Sequence, residues 1–205
     1  MTAPKPPPSH VDLDRAARAV AELLRALGHA PESRPDLVAT PQRVAEAWSA
    51  DLLDGTSMDP ATILEAVAGD TRELVVVTGL PLAGMCAHHL LPFHGVAHVA
   101  YRPTGKVTGL SCLGRLVDCY AHRLTIQEQV GREVTDALVA ELGAAGAACV
   151  LEAQHTCMIA RGARQSGARV TTVSLAGTML QGGPDHALVW AALRVQGAPH
   201  VGGHE

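Results

Sequence analysis

Apolar positions recur along this chain with two different periods, and the period changes near residue 70. Val20, Leu23, Leu24 and Leu27 fall at i, i+3, i+4 and i+7, which makes one helical stripe. The stripe predicts a helix that starts near Ser9 or His10 and stops at Gly28. "TPQRVAEAW" predicts a second helix, with Thr40 as N-cap and Pro41 in its first turn. "DPATILEAVAG" predicts a third, short one. The texture then becomes β-rich. "RELVVVTGL" and "HGVAHVAYRP" read as strands, the latter ended by Pro103. "LGRLVDCYAHRL" and "TIQEQVGREVTDALVAELGAAG" return to a helical period. The second carries Val130, Val134, Leu138 and Leu142 at steps of four, with Gly143 at its end. "AACVLEAQHTCMI" alternates, so Ala147, Cys149, Leu151, Ala153, His155 and Cys157 share one face of a predicted strand. "ARVTTVSLAGTM" predicts a further strand and "DHALVWAALRV" a final helix.

Helices first, then strands interrupted by a helix pair, predict an α+β fold with an antiparallel sheet. The expected organisation is a Pro-rich disordered arm at 1–9, an N-terminal helical region at 10–69, a sheet domain at 70–196 and a tail at 197–205.

Composition narrows the function. The 205 residues suit one domain with a helical extension, and a hydrophobic fraction of 47% excludes a disordered chain. Aromatic residues are only 2%, which argues against base-stacking platforms. A formal net charge of −4 gives no electrostatic footprint for nucleic acid or for an anionic membrane. Phosphate binding would need a local cluster of arginines. The five cysteines are odd in number, the start lacks an apolar signal region, and no apolar run is long enough to span a bilayer. These features predict a cytoplasmic protein with reduced thiols.

The candidate chemistry lies in "MCAHHLLPFH" and "QHTC". Cys86 and His89 stand in a C-x2-H spacing that lets both reach one ion, and Cys157 would complete a Cys2His set. Soft thiolates with one imidazole favour zinc, and three protein ligands leave one position open. His88 and His155 would stand beside the ion, where histidine can move protons near neutral pH. Spacing alone leaves the other reading open, in which these are buried thiols and hydrogen-bonded imidazoles. His94, His98 and His122 read as surface or core polar groups, and Cys119 and Cys149 as small core residues.

"MCAHHLLPFHGVAHVAY", "GLSCLGRLV", "IQEQV", "QHTCMIARGAR" and "TTVSLAG" occur in the order and spacing of the GTP cyclohydrolase I family, and "TPQRVAEAW" resembles that family's "TPxRVA" helix. The resemblance covers residues 10 to 195. It implies a tunnelling fold, whose antiparallel sheets associate into a barrel within a homodecamer, with active sites at subunit interfaces. It implies opening of the imidazole ring of GTP, release of C8 as formate and closure to 7,8-dihydroneopterin triphosphate. Carried over residue by residue, Cys86, His89 and Cys157 match the zinc ligands. His88 and His155 match the proton-moving histidines. Ser111 matches the serine near the ribose-derived carbonyl. Gln127 and Glu128 match the pair that reads the pyrimidine edge of guanine. Arg43, Arg115 and Arg161 match arginines in or near the triphosphate pocket.

The sequence departs from that pattern at several positions. Ala87 stands where the family has a glutamate, Cys112 where it has a lysine, and Gln129 where it has an arginine. Many members also have a lysine at the position of Glu46. The changes at 112 and 129 remove positive charge from the phosphate set. They raise two alternatives: a homologue acting on a less phosphorylated guanine nucleotide or stopping at a ring-opened pyrimidine, and a non-catalytic nucleotide-binding paralogue. A third alternative keeps the fold but uses a nucleophilic cysteine, as the related nitrile reductases do, with Cys112 the candidate.

Overall fold

The structure is a computed structural model that describes residues 11–162 and 164–195. The expected arm at 1–9 and tail at 197–205 lie outside the described residues. The chain divides into two compact units, one ending at Ser57 and the other beginning at Met58.

The N-terminal unit holds α1 (Leu13–Ala26) and α2 (Thr40–Ala47), packed on each other. The first helix begins later than the apolar stripe suggests. Asp12 takes the cap, its side chain accepting from the Arg15 N–H at 2.8 Å. Gly28, at φ 86°, follows the helix end as expected. Pro41 sits in the first turn of α2, but Ala39 occupies the cap position and Thr40 is already helical. No residue of α1 is buried; Leu23 and Leu27 are 57% and 65% exposed.

The second unit contains α3 (Pro60–Leu64), β1 (Val67–Ala68), β2 (Val75–Cys86), β3 (Pro92–Arg102), β4 (Lys106–Val107) and α4 (Leu110–Ala121). Then follow β5 (Leu124–Thr125), α5 (Gln127–Ala140), β6 (Gly146–His155), α6 (Thr156–Ile159), β7 (Val170–Gly177) and α7 (His186–Val195). The main sheet runs β5-β2-β3-β6-β7. Its long neighbours are antiparallel, and only the two-residue β5 pairs in parallel, Met85 with Leu124 and Cys86 with Thr125. The mixed α+β architecture agrees with the sequence pattern.

Helices α4 and α5 cover one face of the sheet. Val130, Val134, Leu138 and Leu142 of the helical stripe pack there with Ala147, Cys149, Leu151 and Ala153 of the alternating strand. The opposite face carries Ala100, Ala148 and Val150 against Val189 and Leu193 of α7. Both faces of the sheet are therefore apolar at this end. Asp185, just before α7, accepts from Arg102 and Thr178, which ties the last helix to the end of β3. Ile63 and Leu64 of α3 are buried in the core of α4 and the sheet, so the segment after Met58 belongs to this unit.

One predicted continuation fails. Cys157 does not extend the strand; it lies in the helical turn α6. His155 is the last residue of β6 paired to β3, opposite Phe93, and β3 begins at Pro92, which has no N–H to donate. The pairing with β7 has already ended at Ala153 and Val170. With no partner on either side, the chain turns into a helix.

Candidate metal centre and active site

The C-x2-H segment lies in a tight loop between β2 and β3. Leu91 O accepts from Cys86 N–H at 3.0 Å, and Cys86 O accepts from Leu90 N–H at 2.9 Å. The turn places Leu90 in the left-handed region at φ 53°. Thr125 O accepts from Ala87 N–H at 3.0 Å, so β5 braces the loop from the other side. Cys86 ends up buried, while His88 and His89 are exposed, their ring centroids 6.3 Å apart.

The turn of α6 brings Cys157 to the same place. The ligand atoms of Cys86, His89 and Cys157 all lie within 4.8 Å of one another, and among the described residues they are the one cluster of this kind. Two thiols and one imidazole at this separation fit a thiophilic divalent ion with an open fourth position. Burial pushes the Cys157 thiol up, and the adjacent Cys86 pushes it further; Arg161 opposes both. A divalent cation between the thiols reverses that penalty, because its charge stabilises the thiolates.

A cavity of about 270 Å³ opens at this cluster. It is lined by the three candidate ligands with His88, Phe93, Gln127, Glu128, His155 and neighbouring residues. His155 is held on two sides: its ring stacks on Phe93, and its Nε2 lies 2.8 Å from Gln127 Oε1. Burial lowers its pKa, and Glu128 partly offsets this. Glu128 is exposed on the first turn of α5, whose N-cap, Ile126, offers no side-chain acceptor. Ile126 O accepts from Gln129 N–H at 3.0 Å and from Val130 N–H at 3.2 Å, so an incoming acceptor would meet the first-turn N–H groups before them.

The remaining sequence candidates are distributed differently. Arg161 is exposed beside Cys157. Ser111 and Arg115 are exposed on α4 and do not line the cavity. Ala121 O lies 2.9 Å from the Cβ that Gly84 would carry, so the C-terminal end of α4 adjoins the metal-loop end of β2. Ser111 is ten residues earlier on α4, about 15 Å away along a helix. Arg43 is exposed on α2 in the N-terminal unit. Gln127 is 1% exposed and its amide is fully engaged, so only Glu128 of the pair presents a free side chain. Cys112 is buried in the apolar core, which removes the support for a nucleophilic cysteine in this cavity. Phe93 and Thr125 are site residues that the sequence reading did not single out. Phe93 could have been noticed as the chain's sole phenylalanine beside the histidine-rich segment.

An α+β protein in which a cluster able to hold a metal ion shares a cavity with two further histidines and a carboxylate has the parts that a metal-assisted hydrolase needs. The model of the GTP cyclohydrolase I family matches residues 16–192, and the chain belongs to that family. It is 44% identical over 186 residues to GTP cyclohydrolase 1 of Corynebacterium glutamicum, covering 89% of this chain and 94% of that one. It is 45% identical over 169 residues to that of Mycobacterium leprae, at 81% and 82% coverage, and 46% over 175 residues to that of Mycobacteroides abscessus, at 83% and 85%. Among the described residues no helix is long and apolar enough to cross a membrane.

Proposed function

We propose that the protein hydrolyses the imidazole ring of GTP at C8, releases that carbon as formate and converts the remainder to 7,8-dihydroneopterin triphosphate. One observation carries the reading: a Cys2His cluster, two histidines and a carboxylate line a single cavity in a chain of this family. Cys86, His89 and Cys157 would hold zinc, which supplies a Lewis acid and lowers the pKa of water. Glu128 accepts hydrogen bonds from the N1–H and 2-amino groups of guanine, a bidentate pairing that a carboxylate suits. The Glu128 N–H, in the first turn of α5, can donate to the base carbonyl beside it. His155 and His88 move protons to and from the ring nitrogens as the C–N bonds break.

The phosphates need cations, and among the described residues no arginine lines the cavity. Arg161 stands beside Cys157, but Ser111 and Arg115 lie about 15 and about 9 Å along α4 from its Ala121 end. This supports a homo-oligomer, a decameric barrel in our reading, in which a neighbouring copy brings the α4 end, with Ser111 by the ribose-derived carbonyl and Arg115 by the triphosphate. Arg43 is assigned to the same pocket. Nucleic acid and membrane have no part in this reading, and the compartment is the cytoplasm. The buried Cys112 and the exposed Gln129, which donates to Glu133 at 3.0 Å, offer no charge to the triphosphate. That thinning is the feature favouring a second reading, a preference for fewer phosphates.

Zinc-loaded protein incubated separately with GTP, GDP, GMP and guanosine, with formate and products resolved by mass, tests both. Formate with dihydroneopterin triphosphate from GTP, abolished by chelator, is the expected result. A ring-opened end product or a preferred diphosphate would replace the first reading with the second. Absence of turnover with metal bound would leave only a nucleotide-binding paralogue.

A further inference from the structure

The hydrogen bonds around Gln127 point to a role other than reading a base. Its Nε2 lies 3.1 Å from Leu151 O, 2.9 Å from Val170 O and 3.1 Å from Thr172 Oγ1. Two of these are backbone carbonyls, which only accept. The amide NH2 must therefore face β6 and β7, and Oε1 must face His155. An amide oxygen also only accepts, so the hydrogen shared at 2.8 Å belongs to His155 Nε2. A neutral imidazole carrying its hydrogen on Nε2 has a bare lone pair on Nδ1. Among the described residues nothing hydrogen-bonds Nδ1. Stacking on Phe93 fixes the plane of the ring, and Gln127 fixes its rotation within that plane.

We infer that Gln127 is a positioning residue that fixes the rotation of the His155 ring and imposes its Nε2–H tautomer, leaving Nδ1 without a hydrogen. Glutamine suits the task better than a carboxylate. It cannot take the proton itself, it does not favour the charged ring, and its NH2 satisfies two strands at once. The same bonds explain why it is spent before any substrate arrives: its two amide hydrogens already have three acceptors. Base reading then falls to Glu128. The inference rests on the proposal that His155 moves protons during ring opening of GTP.

The test uses full-length protein labelled with [15N]histidine, with His155 assigned by comparison with a His155→Gln variant. NMR one-bond couplings are expected to put the hydrogen on Nε2 and none on Nδ1. In Gln127→Met the preference for Nε2–H is expected to be lost. Turnover should fall about 10- to 100-fold, the range for removing a partner that orients a functional side chain, with KM for GTP and bound metal nearly unchanged. Hydrogen on Nδ1 in the wild type would overturn the inference, as would a raised KM with unaltered kcat, which would return Gln127 to base reading. Should the methionine variant fail to fold, the wild-type tautomer decides alone. Turnover with the hydrogen on Nδ1 sinks this inference and spares the proposed function. No turnover with the hydrogen on Nε2 sinks the proposed function and leaves the orientation standing.

Discussion

The ring of His155 lies on the ring of Phe93, with centroids 4.9 Å apart and planes 17° from parallel. The two residues are direct partners in the β3–β6 register, and Phe93 in turn is the partner of Gly84 on β2. Three adjacent strands thus contribute one row across the sheet. A Cβ on Gly84 would sit 2.4 Å from Phe93 Cζ and 2.9 Å from Ala121 O. Gly84→Ala should therefore push the phenyl ring and disturb the imidazole stacked on it. The expected cost is about 1–3 kcal/mol of stability, as for overpacking a filled core, with a loss of turnover. Phe93→Leu removes the platform without adding bulk and should lower turnover while metal content stays at the wild-type level. Denaturant unfolding, metal analysis and kcat on the two variants check this; unchanged kcat in Phe93→Leu would show that stacking does not orient His155.

Metal removal should separate the five cysteines into two classes. Cys86 and Cys157 approach a common point with His89, whereas Cys119 is fully buried with its thiol 3.3 Å from Arg123 Nη2. Cys149 is buried so completely that its pKa is pushed up to about 12, and it stays an inert thiol. Cys157→Ser should bind substoichiometric metal and lose activity. Cys119→Ser should retain one ion per chain and change only stability. Elemental analysis after dialysis, with zinc added back to chelated wild type, gives the readout. Full metal content in Cys157→Ser would remove that residue from the ligand set.

The parts legible in the sequence are those where one short-range rule acted without competition. Val130, Val134 and Leu138 of α5 and Leu142 just past its end are all buried, and the residues of β6 do face two cores in turn, Ala147, Cys149, Leu151 and Ala153 one and Ala148 and Val150 the other. The C-x2-H spacing was readable because a tight loop keeps Cys86 and His89 together whatever the rest of the chain does. The misreadings arose where tertiary partners decide. Extending the alternation to Cys157 ignored that both neighbouring strands end before it. Thr40 has the residue type of a cap, but α2 begins one residue earlier than that type suggests, with Ala39 at the cap position. The environment of Gln127 was invisible, since its partners Leu151, Val170 and Thr172 lie 24 to 45 residues away. Without structure its amide was free to be assigned to the base.

If the phosphate side of each site comes from another copy, two inactive variants should complement. Arg115→Ala leaves the cavity of its own chain intact, and Cys157→Ser leaves its own α4 intact. Each homo-oligomer should have low activity, and unfolding and refolding the two together should regenerate sites that carry neither change. Activity above the sum of the separate preparations is expected. No gain on mixing, in oligomers shown by mass to contain both chains, would mean that Arg115 serves the site of its own chain or none.

Acid should loosen α7 before it unfolds the rest. Asp185 accepts from Arg102 Nε at 3.0 Å, from Arg102 Nη2, and from Thr178 Oγ1 at 2.6 Å, and Arg102 Nη1 donates to Arg72 O at 2.6 Å. The two side chains are only 19% and 11% exposed, so solvent screens the pair weakly. Hydrogen bonds from Arg102 and then Thr178 hold the Asp185 carboxyl below its usual range. A depressed folded pKa means the unfolded state binds the proton more readily. The stabilisation is therefore complete above the unfolded value, about 3.9, and disappears as pH falls through the lower folded value. Asp185→Asn should cost about 1.5–3 kcal/mol at neutral pH, the scale of hydrogen bonds to a charged group. Its deficit relative to wild type should shrink steadily below pH 4. Denaturant unfolding of both proteins from pH 7 to pH 2.5, at one protein concentration, measures that convergence. A deficit that stays constant with pH would assign Asp185 a packing role independent of its charge.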